Sequence, residues 1–260
     1  MSDKGRTRRS RAIVTGASKG IGAATAERLA GDGAHVLLVG RDEGDLAKRC
    51  EGIRRAGGRA DFISIDIADR AAAGRIVEAA TETLGGIDIV VNCASATLND
   101  HFFALTDDQW QLGFEIKIFG TIRLCRAAWP SLKASGGSIV NIGGIGARTP
   151  MARNVMTGAL SSSLMAITKA LAEAGIAEGV QVNLIHPGFI RTPRSEKTVR
   201  RDAGTDDLDA AMQAKVAAMG AIRPGVPADV ASLVAWIVSP EGSFLQGAAI
   251  DLDGGATRGI

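Results

Sequence analysis

The chain has 260 residues, of which 46% are hydrophobic and 22% charged, and this ordinary globular composition argues against a disordered, collagenous or coiled-coil protein. Thirty Lys and Arg against 28 Asp and Glu leave a net charge of +2, so no overall charge recruits nucleic acid or an anionic membrane. No uninterrupted apolar stretch approaches the roughly 20 residues that span a bilayer. Cys50, Cys93 and Cys125 lie far apart without metal-ligand spacing, which predicts reduced thiols in a cytoplasmic protein and no metal site.

Strands and helices alternate along most of the chain. Short apolar segments bounded by Gly, Asp or Pro predict strands at Ala12–Thr15, His35–Val39, Asp61–Ile65, Ile87–Asn92, Ser138–Ile142, Val180–Ile185 and Ala248–Leu252. Longer amphipathic segments predict helices at Ile21–Gly31, Glu43–Ala56, Arg70–Leu84, Asp107–Leu132, Val155–Glu178 and Ala228–Val238. This alternation predicts a doubly wound α/β sheet of about seven parallel strands with helices on both faces.

The ends of some helices and the organisation of the chain can also be predicted. Asp69 and Thr106 or Asp107 are expected to be helix N-caps, and Gly85 and Gly179 are expected to end helices. Residues 1–10 form a basic tail that we expect to be disordered, and residues 11–260 form a single domain. Residues 191–219 are too polar for a core and are expected to form a lid over the substrate.

The first predicted strand runs straight into a glycine-rich loop, Thr15–Gly22, and then into a helix. Glycines let the backbone turn tightly and approach a phosphate, and the helix N-terminus presents free N–H groups to it. The position of the loop within a βαβ unit favours a dinucleotide site over an ordinary glycine-rich turn. The residues expected to bind the cofactor here are Gly16, Ser18, Lys19, Gly20, Ile21 and Gly22.

This loop resembles the Thr-Gly-x-x-x-Gly-x-Gly fingerprint of the short-chain dehydrogenase/reductase family. Further matches follow in order along the chain at Asp66-Ile67, Asn92-Cys93-Ala94-Ser95, Pro187-Gly188-Phe189-Ile190-Arg191-Thr192 and Asp253-Gly254-Gly255. The resemblance implies a Rossmann fold and an NAD(P)-dependent oxidoreductase acting on a carbonyl or alcohol. It further implies adenine contacts from Asp66 and Ile67, and further cofactor contacts from Asn92, Ala94, Pro187, Gly188, Ile190 and Thr192.

Charge at the end of the second strand distinguishes the two nicotinamide cofactors. An acidic residue there holds the ribose 2′-hydroxyl of NAD, whereas a 2′-phosphate needs a cation. Val39 is followed by Gly40 and Arg41, with no acid at that position. Lys19 and Arg41 would bracket a 2′-phosphate, so NADP(H) is predicted over NAD(H). Alternatively, both residues are solvated surface cations.

The catalytic positions depart from the family. Its members use a Tyr, a Lys four residues later, a Ser thirteen residues before the Tyr and an Asn in the preceding long helix, but this chain contains no Tyr. Alignment on Ile167–Ala172 places Thr157 at the Tyr position and Ser161 at the Lys position. The Ser position is then Gly144, and Lys117 replaces the Asn. All four members of the tetrad are therefore expected to be substituted.

Three explanations remain open. The chain binds NADP(H) without hydride transfer, or the site is rewired with Lys117 in the vacated space, or the fold is a scaffold for binding another molecule. The other polar candidates are His101, Arg148, Arg153 and His186, which are expected to be structural or solvated. If the site is active, Arg148 and Arg153 hint at an anionic substrate, but the substrate itself is not identified. The resemblance implies a homodimer or homotetramer.

Overall fold

The computed structural model describes residues 10–96, 100–204 and 207–259. Within these ranges, seven strands form one parallel sheet in the order β3-β2-β1-β4-β5-β6-β7. The strands are β1 Arg11–Thr15, β2 His35–Gly40, β3 Arg59–Ser64, β4 Ile89–Asn92, β5 Ser138–Ile142, β6 Gln181–Pro187 and β7 Ala249–Leu252. The predicted doubly wound fold is confirmed. The strand order reverses direction between β1 and β4, and ligands bind at such a switch point in open α/β sheets.

Helices cover both faces of the sheet. They are α1 Gly20–Gly31, α2 Glu43–Arg55, α3 Ala72–Leu84, α4 Asp107–Phe114, α5 Gly120–Ser135, α6 Val155–Glu178, α7 Pro193–Ala203, α8 Leu208–Met219 and α9 Pro227–Ile237. Successive residues of β1 face opposite layers of helices. Ala12 and Val14 pack against the α1 and α9 layer, whereas Ile13 packs against the α3 and α5 layer. Burial of the strands on both faces explains why they are continuous apolar runs.

The long helix predicted at Asp107–Leu132 is interrupted. Thr106 caps its start, with a hydrogen bond from the Gln109 backbone N–H at 3.3 Å. After α4, one π-helical turn spans Glu115–Phe119 before α5 begins. Turns of this kind occur frequently at functional sites, and this one contains Lys117.

Two other local predictions have different outcomes. Gly85 and Gly179 end α3 and α6 in the left-handed conformation, at φ 80° and 72°, as predicted. Asp69 is not an N-cap, because α3 begins after Ala71. The carboxylate of Asp69 instead accepts the Ala71 N–H at 2.9 Å in the turn before the helix. The side chain of Asp69 therefore satisfies a backbone N–H in the preceding turn, and the helix begins two residues later than predicted.

The remaining regions of interest are the tail, the segment expected to be a lid and one apolar helix. The predicted disordered tail lies outside the described residues except for Ser10. Within 191–219, α7 and α8 contain most of the described residues. One described segment, Ala152–Glu178, is long and apolar enough to cross a membrane by length and composition. It is α6 with the turn before it, and α6 packs on β6 as one layer of the fold.

Candidate functional site

The glycine-rich loop after β1 is built by close approach of backbone to backbone. A Cβ at Gly22 would lie 2.3 Å from the carbonyl oxygen of Gly16, so only glycine fits there. Gly16 and Gly20 have positive φ, at 67° and 59°, which favours glycine. The loop leads directly into α1, whose N-terminus presents unpaired N–H groups. This geometry fits a pyrophosphate group, which binds a helix N-terminus through a loop of this kind.

The end of β4 closes one side of the loop. A Cβ at Gly16 would meet the Cys93 carbonyl oxygen at 3.0 Å and Ala94 Cα at 3.1 Å. The Thr15 hydroxyl accepts the N–H groups of Cys93 and Ala94 at 3.0 and 3.1 Å. These contacts hold the two strand ends together at the switch point. Asn92 itself points into the core, where its amide donates to Asn141 at 2.8 Å.

The segment after β6 closes the other side of the loop. Thr192 caps α7, and its methyl carbon lies 3.3 Å from the position of a Cβ at Gly20. Thr192 therefore brings this segment against the glycine loop. The segment contains the other cofactor residues predicted after β6, Pro187, Gly188 and Ile190. Ile67 is buried and packs against Gly120 at the start of α5.

Lys19 and Arg41 do lie near the end of β2, but each pairs with a carboxylate. Lys19 Nζ is 2.5 Å from Asp45 Oδ2, and Arg41 Nη1 is 3.7 Å from Asp66 Oδ2. The hydrogen bond to Asp45 raises the pKa of Lys19, so the amine is fully charged at neutral pH. Both side chains are more than half exposed, which makes these ion pairs weak and exchangeable.

Lys117 is buried at the carboxyl end of the sheet. The residue is 4% exposed, and its Nζ donates a hydrogen bond to the Ile142 carbonyl oxygen at 2.9 Å. Burial lowers the pKa of this amine to about 8, with an opposing effect from Cys93 and a further lowering from Arg194. Charged and neutral forms are therefore both accessible near neutral pH, as proton transfer requires.

Gly144, Thr157 and Ser161 meet beside the end of β5. A Cβ at Gly144 would lie 3.2 Å from Thr157 Cγ2 and 3.6 Å from Ser161 Oγ. The Ser161 side chain is fully buried, and its hydroxyl has no hydrogen-bond partner within the described ranges. A buried hydroxyl without a partner is costly, which makes Ser161 a candidate hydrogen-bonding group of the site.

His186 lies against the same turn. Its Nδ1 accepts the Gly144 N–H at 3.1 Å, which places the proton of the neutral ring on Nε2. Nε2 is buried without a hydrogen-bond partner in the part of the chain that the structure describes. Burial lowers the pKa of His186, and nearby Arg148 and Lys117 lower it further against the opposing effect of Asp251. His186 is therefore neutral at physiological pH.

The remaining polar candidates from the sequence lie away from this turn or are paired. His101 is exposed and stacks on Phe103, with 5.8 Å between ring centroids. Arg148 forms an ion pair with Asp251 at 3.3 Å, and Arg153 is exposed. His101 and Arg153 therefore agree with the expectation of a solvated residue.

The comparison with known proteins identifies the family. A family model described as enoyl-(acyl carrier protein) reductase, of the short-chain dehydrogenase type, matches residues 16–257. The chain belongs to the short-chain dehydrogenase/reductase family. The short-chain reductase protein NovJ of Streptomyces niveus is 36% identical over 245 residues, which cover 94% of this chain and 92% of NovJ.

Solved structures of short-chain dehydrogenases agree with this fold. L-sorbose reductase from Gluconobacter frateurii, in complex with NADPH and L-sorbose, has a TM-score of 0.91 at 29% identity and covers 96% of this chain and 97% of its own. A short-chain oxidoreductase of Pseudomonas aeruginosa PAO1, bound to NADPH and described as containing an atypical catalytic center, has a TM-score of 0.88 at 28% identity and covers 96% and 97%.

Sequence reasoning missed two features of this short-chain dehydrogenase site. Arg194 extends from α7 to the carbonyl oxygen of Ser95, at 2.9 Å, and lies close enough to affect the pKa values of Lys117 and Cys93. The hydrogen bond from Gly144 to His186 is equally invisible in the sequence. The only available signal was the position of each residue beside a family motif, Arg194 after Thr192 and His186 before Pro187.

Proposed function

We propose that this short-chain dehydrogenase is an NADP(H)-dependent oxidoreductase of a carbonyl or alcohol, in which Lys117 is the proton donor and acceptor. The observation that carries the proposal is the buried amine of Lys117 at the end of β5, with its pKa lowered to about 8. Reduction of a carbonyl needs an acid near the reacting oxygen, and no Tyr is present to provide one. Bound NADPH supplies the hydride.

The glycine loop, the end of β4 and the Thr192 segment would hold the cofactor. Ser18 Oγ lies 3.6 Å from the position of a Cβ at Gly40, so the end of β2 offers a hydroxyl and no carboxylate at that point. Lys19 and Arg41 would exchange their carboxylate partners for the 2′-phosphate, because a phosphate accepts stronger charge-assisted hydrogen bonds. This arrangement supports a preference for NADP(H), as do the NADPH complexes of the solved relatives.

The protein would perform the proton chemistry with its own side chains. The Ile142 carbonyl holds the Lys117 ammonium in place while leaving two of its protons free to be donated. Ser161, whose hydroxyl has no partner within the described ranges, would donate a hydrogen bond to the substrate oxygen. His186 Nε2 is a further neutral donor next to Gly144. A Cβ at Gly144 would already lie 3.2 Å from Thr157 Cγ2, so the lack of a side chain at residue 144 lets this turn pack closely against Thr157 and Ser161.

A second candidate function is an NADP(H)-binding protein that performs no hydride transfer. Thr157 at the Tyr position favours it, because a threonine hydroxyl is a poor acid at neutral pH. In that case the site would serve ligand sensing, or it would support assembly into a homodimer or homotetramer.

Two measurements separate these functions. Thermal unfolding with NADPH, NADH or neither tests binding, because ligand at a hundred times its Kd stabilises by about 2.7 kcal/mol and raises the midpoint by several degrees. Oxidation of NADPH by the wild-type protein with a panel of aldehydes, ketones and oxo acids tests turnover. Stabilisation by NADPH with turnover supports the oxidoreductase. Stabilisation without turnover on any member of the panel supports the second function, and the absence of stabilisation by either nucleotide overturns both.

A further inference from the structure

The chain around Lys117 leaves the regular α-helix for one turn. The Gly120 N–H donates to the Glu115 carbonyl oxygen, five residues earlier, whereas in an α-helix it would donate to the residue four positions earlier. Each residue advances an α-helix by about 100°, so one extra residue changes the direction of the side chains on either side of the turn. The direction of Lys117 therefore depends on whether this π-helical turn is kept.

Three consecutive residues of the turn are buried, Ile116, Lys117 and Ile118. Ile116 packs into the cluster on the α3 and α5 side of the sheet, and Ile118 packs into the cluster that includes α6. Between them, Lys117 Nζ reaches the Ile142 carbonyl oxygen at 2.9 Å. A return to the regular helix would rotate part of this segment, so at least one of the three side chains would leave its present surroundings.

Arg123, in the first turn of α5, contacts both ends of the π-helical turn. Its Nη1 donates to Glu115 Oε2 at 2.9 Å, and its guanidinium carbon lies 5.5 Å from the centroid of the Phe119 ring. Glu115 and Arg123 are eight residues apart, whereas ion pairs on an α-helix ordinarily join residues three or four apart. This ion pair therefore spans the whole turn and joins the segments on either side of it.

The same guanidinium joins the turn to the loop after β3. Arg123 Nη1 lies 3.4 Å from the Ala68 carbonyl oxygen. A Cβ at Gly120 would lie 3.0 Å from Ile67 Cγ1, so the end of the turn packs closely against the same loop. The side chains of Arg123 and Glu115 are both partly buried, and removal of either charge would leave the other partly buried and unpaired.

We propose that Arg123 is a positioning residue for Lys117. By holding Glu115 and Phe119 at the two ends of the π-helical turn, it keeps the Lys117 amine directed toward the end of β5. The inference rests on the proposed function and deepens it, because it assigns a role to a residue that acts on the reaction only through Lys117.

The first test needs no substrate. Hydrogen–deuterium exchange of the backbone amides at 115–120 is measured by mass spectrometry for the wild type, Arg123→Met and Glu115→Gln. Both variants lose the ion pair, so exchange in this segment should be roughly tenfold faster or more. Arg126→Met, which removes the same charge from an exposed position of α5, should exchange like the wild type. Unchanged exchange in Arg123→Met would show that Arg123 does not hold the turn, and would overturn the inference.

The second test is the pH profile of single-turnover NADPH oxidation with an active carbonyl substrate. The wild-type rate should fall above about pH 8, as Lys117 loses its proton. In Arg123→Met the rate at neutral pH should be about 10- to 100-fold lower, because a misplaced acid reacts slowly. The fall should also move to higher pH, because an amine released from burial regains its ordinary pKa. Cys93, His186 and Arg194, the titratable or charged groups that interact with Lys117, stay the same in the variant.

A double variant separates positioning from general destabilisation. Glu115→Gln combined with Arg123→Met should be no slower than Arg123→Met alone, because both changes break the same contact. Additive losses would overturn the inference, and so would a lower rate with an unchanged pH profile in Arg123→Met, or the same loss in Arg126→Met.

The two proposals fail in different ways. A wild-type protein that oxidises NADPH with no carbonyl compound, or whose rate does not fall above about pH 8, would overturn the proposed function. A wild type with the expected profile, together with an Arg123→Met variant of the same rate and profile, would overturn only the role of Arg123.

Discussion

The two halves of the candidate site differ in what builds them. The cofactor half consists mainly of backbone packed against backbone. A Cβ added at Gly22, for example, would lie only 2.3 Å from the Gly16 carbonyl oxygen. The proposed catalytic half consists mainly of side chains, those of Lys117, Thr157 and Ser161, next to Gly144. A backbone site excludes nearly every substitution by steric overlap, whereas a side-chain site can change one residue at a time while the sheet stays the same.

This contrast explains how the chain can match its family along nearly its whole length while it carries no Tyr for the expected tetrad. The residues that shape the glycine loop are also required for β1, α1 and β4 to pack together. Lys117 and Ser161 are held by elements that would form with other residues in their place. Four substitutions test this difference between the two halves, in order of decreasing expected effect.

Replacement of Lys117 by Met should have the largest effect. Met fills a similar volume without an amine, and loss of a general acid lowers kcat by about 10²- to 10⁴-fold. NADPH affinity should change little, because Lys117 is not part of the glycine loop. Steady-state kinetics on an active carbonyl substrate and thermal unfolding with NADPH measure the two effects. Lys169→Met, on the exposed face of α6, is the matched control. Full activity of Lys117→Met would remove Lys117 from the chemistry.

Replacement of Gly22 by Ala should disrupt the cofactor half. The added methyl group overlaps the Gly16 carbonyl, and overpacking of this kind costs about 1–3 kcal/mol. NADPH binding should weaken by roughly 10- to 100-fold, as measured by titration of NADPH fluorescence. Gly31→Ala lies at the other end of the same helix, where a Cβ would meet nothing within 4 Å, and should bind NADPH like the wild type. Equal affinities of the two variants would contradict the steric account of the loop.

Replacement of Arg41 by Gln should change cofactor preference and leave catalysis intact. Loss of one exposed charge-assisted contact should weaken NADPH binding by about tenfold or less, and NADH binding should be unaffected. Arg55→Gln, an exposed residue of α2 paired with Glu51, controls for the change in net charge. A parallel loss of affinity for both nucleotides would place Arg41 outside the 2′-phosphate site.

Replacement of Ser161 by Ala should have the smallest effect. A neutral hydrogen bond contributes about 0.5–1.5 kcal/mol, so kcat/KM should fall by roughly two- to tenfold. The midpoint of thermal unfolding should stay the same or rise, because the hydroxyl has no partner among the described residues. A clear loss of stability would indicate a structural role for Ser161.

The sequence predicted the sheet well because its strands are buried on both faces and are therefore continuous apolar runs, as in Ser138–Ile142. It did not predict the π-helical turn at Lys117, since a local change from an i,i+4 to an i,i+5 hydrogen bond leaves no clear compositional signal. It also could not place Arg194, because the contact with Ser95 joins residues 99 positions apart. The long-range contacts that assemble the proposed catalytic half therefore could not be predicted from the sequence.

The pH dependence of the reduction step tests the central claim about Lys117 most directly. The ammonium donates the proton in the reduction direction, and its pKa is lowered to about 8 by burial and by nearby Arg194, against the opposing effect of Cys93. The single-turnover rate of NADPH oxidation should therefore be constant at neutral pH and fall about tenfold per pH unit as the pH rises past 8. A rate that stays constant from pH 6.5 to about 9.5 would contradict Lys117 as the acid.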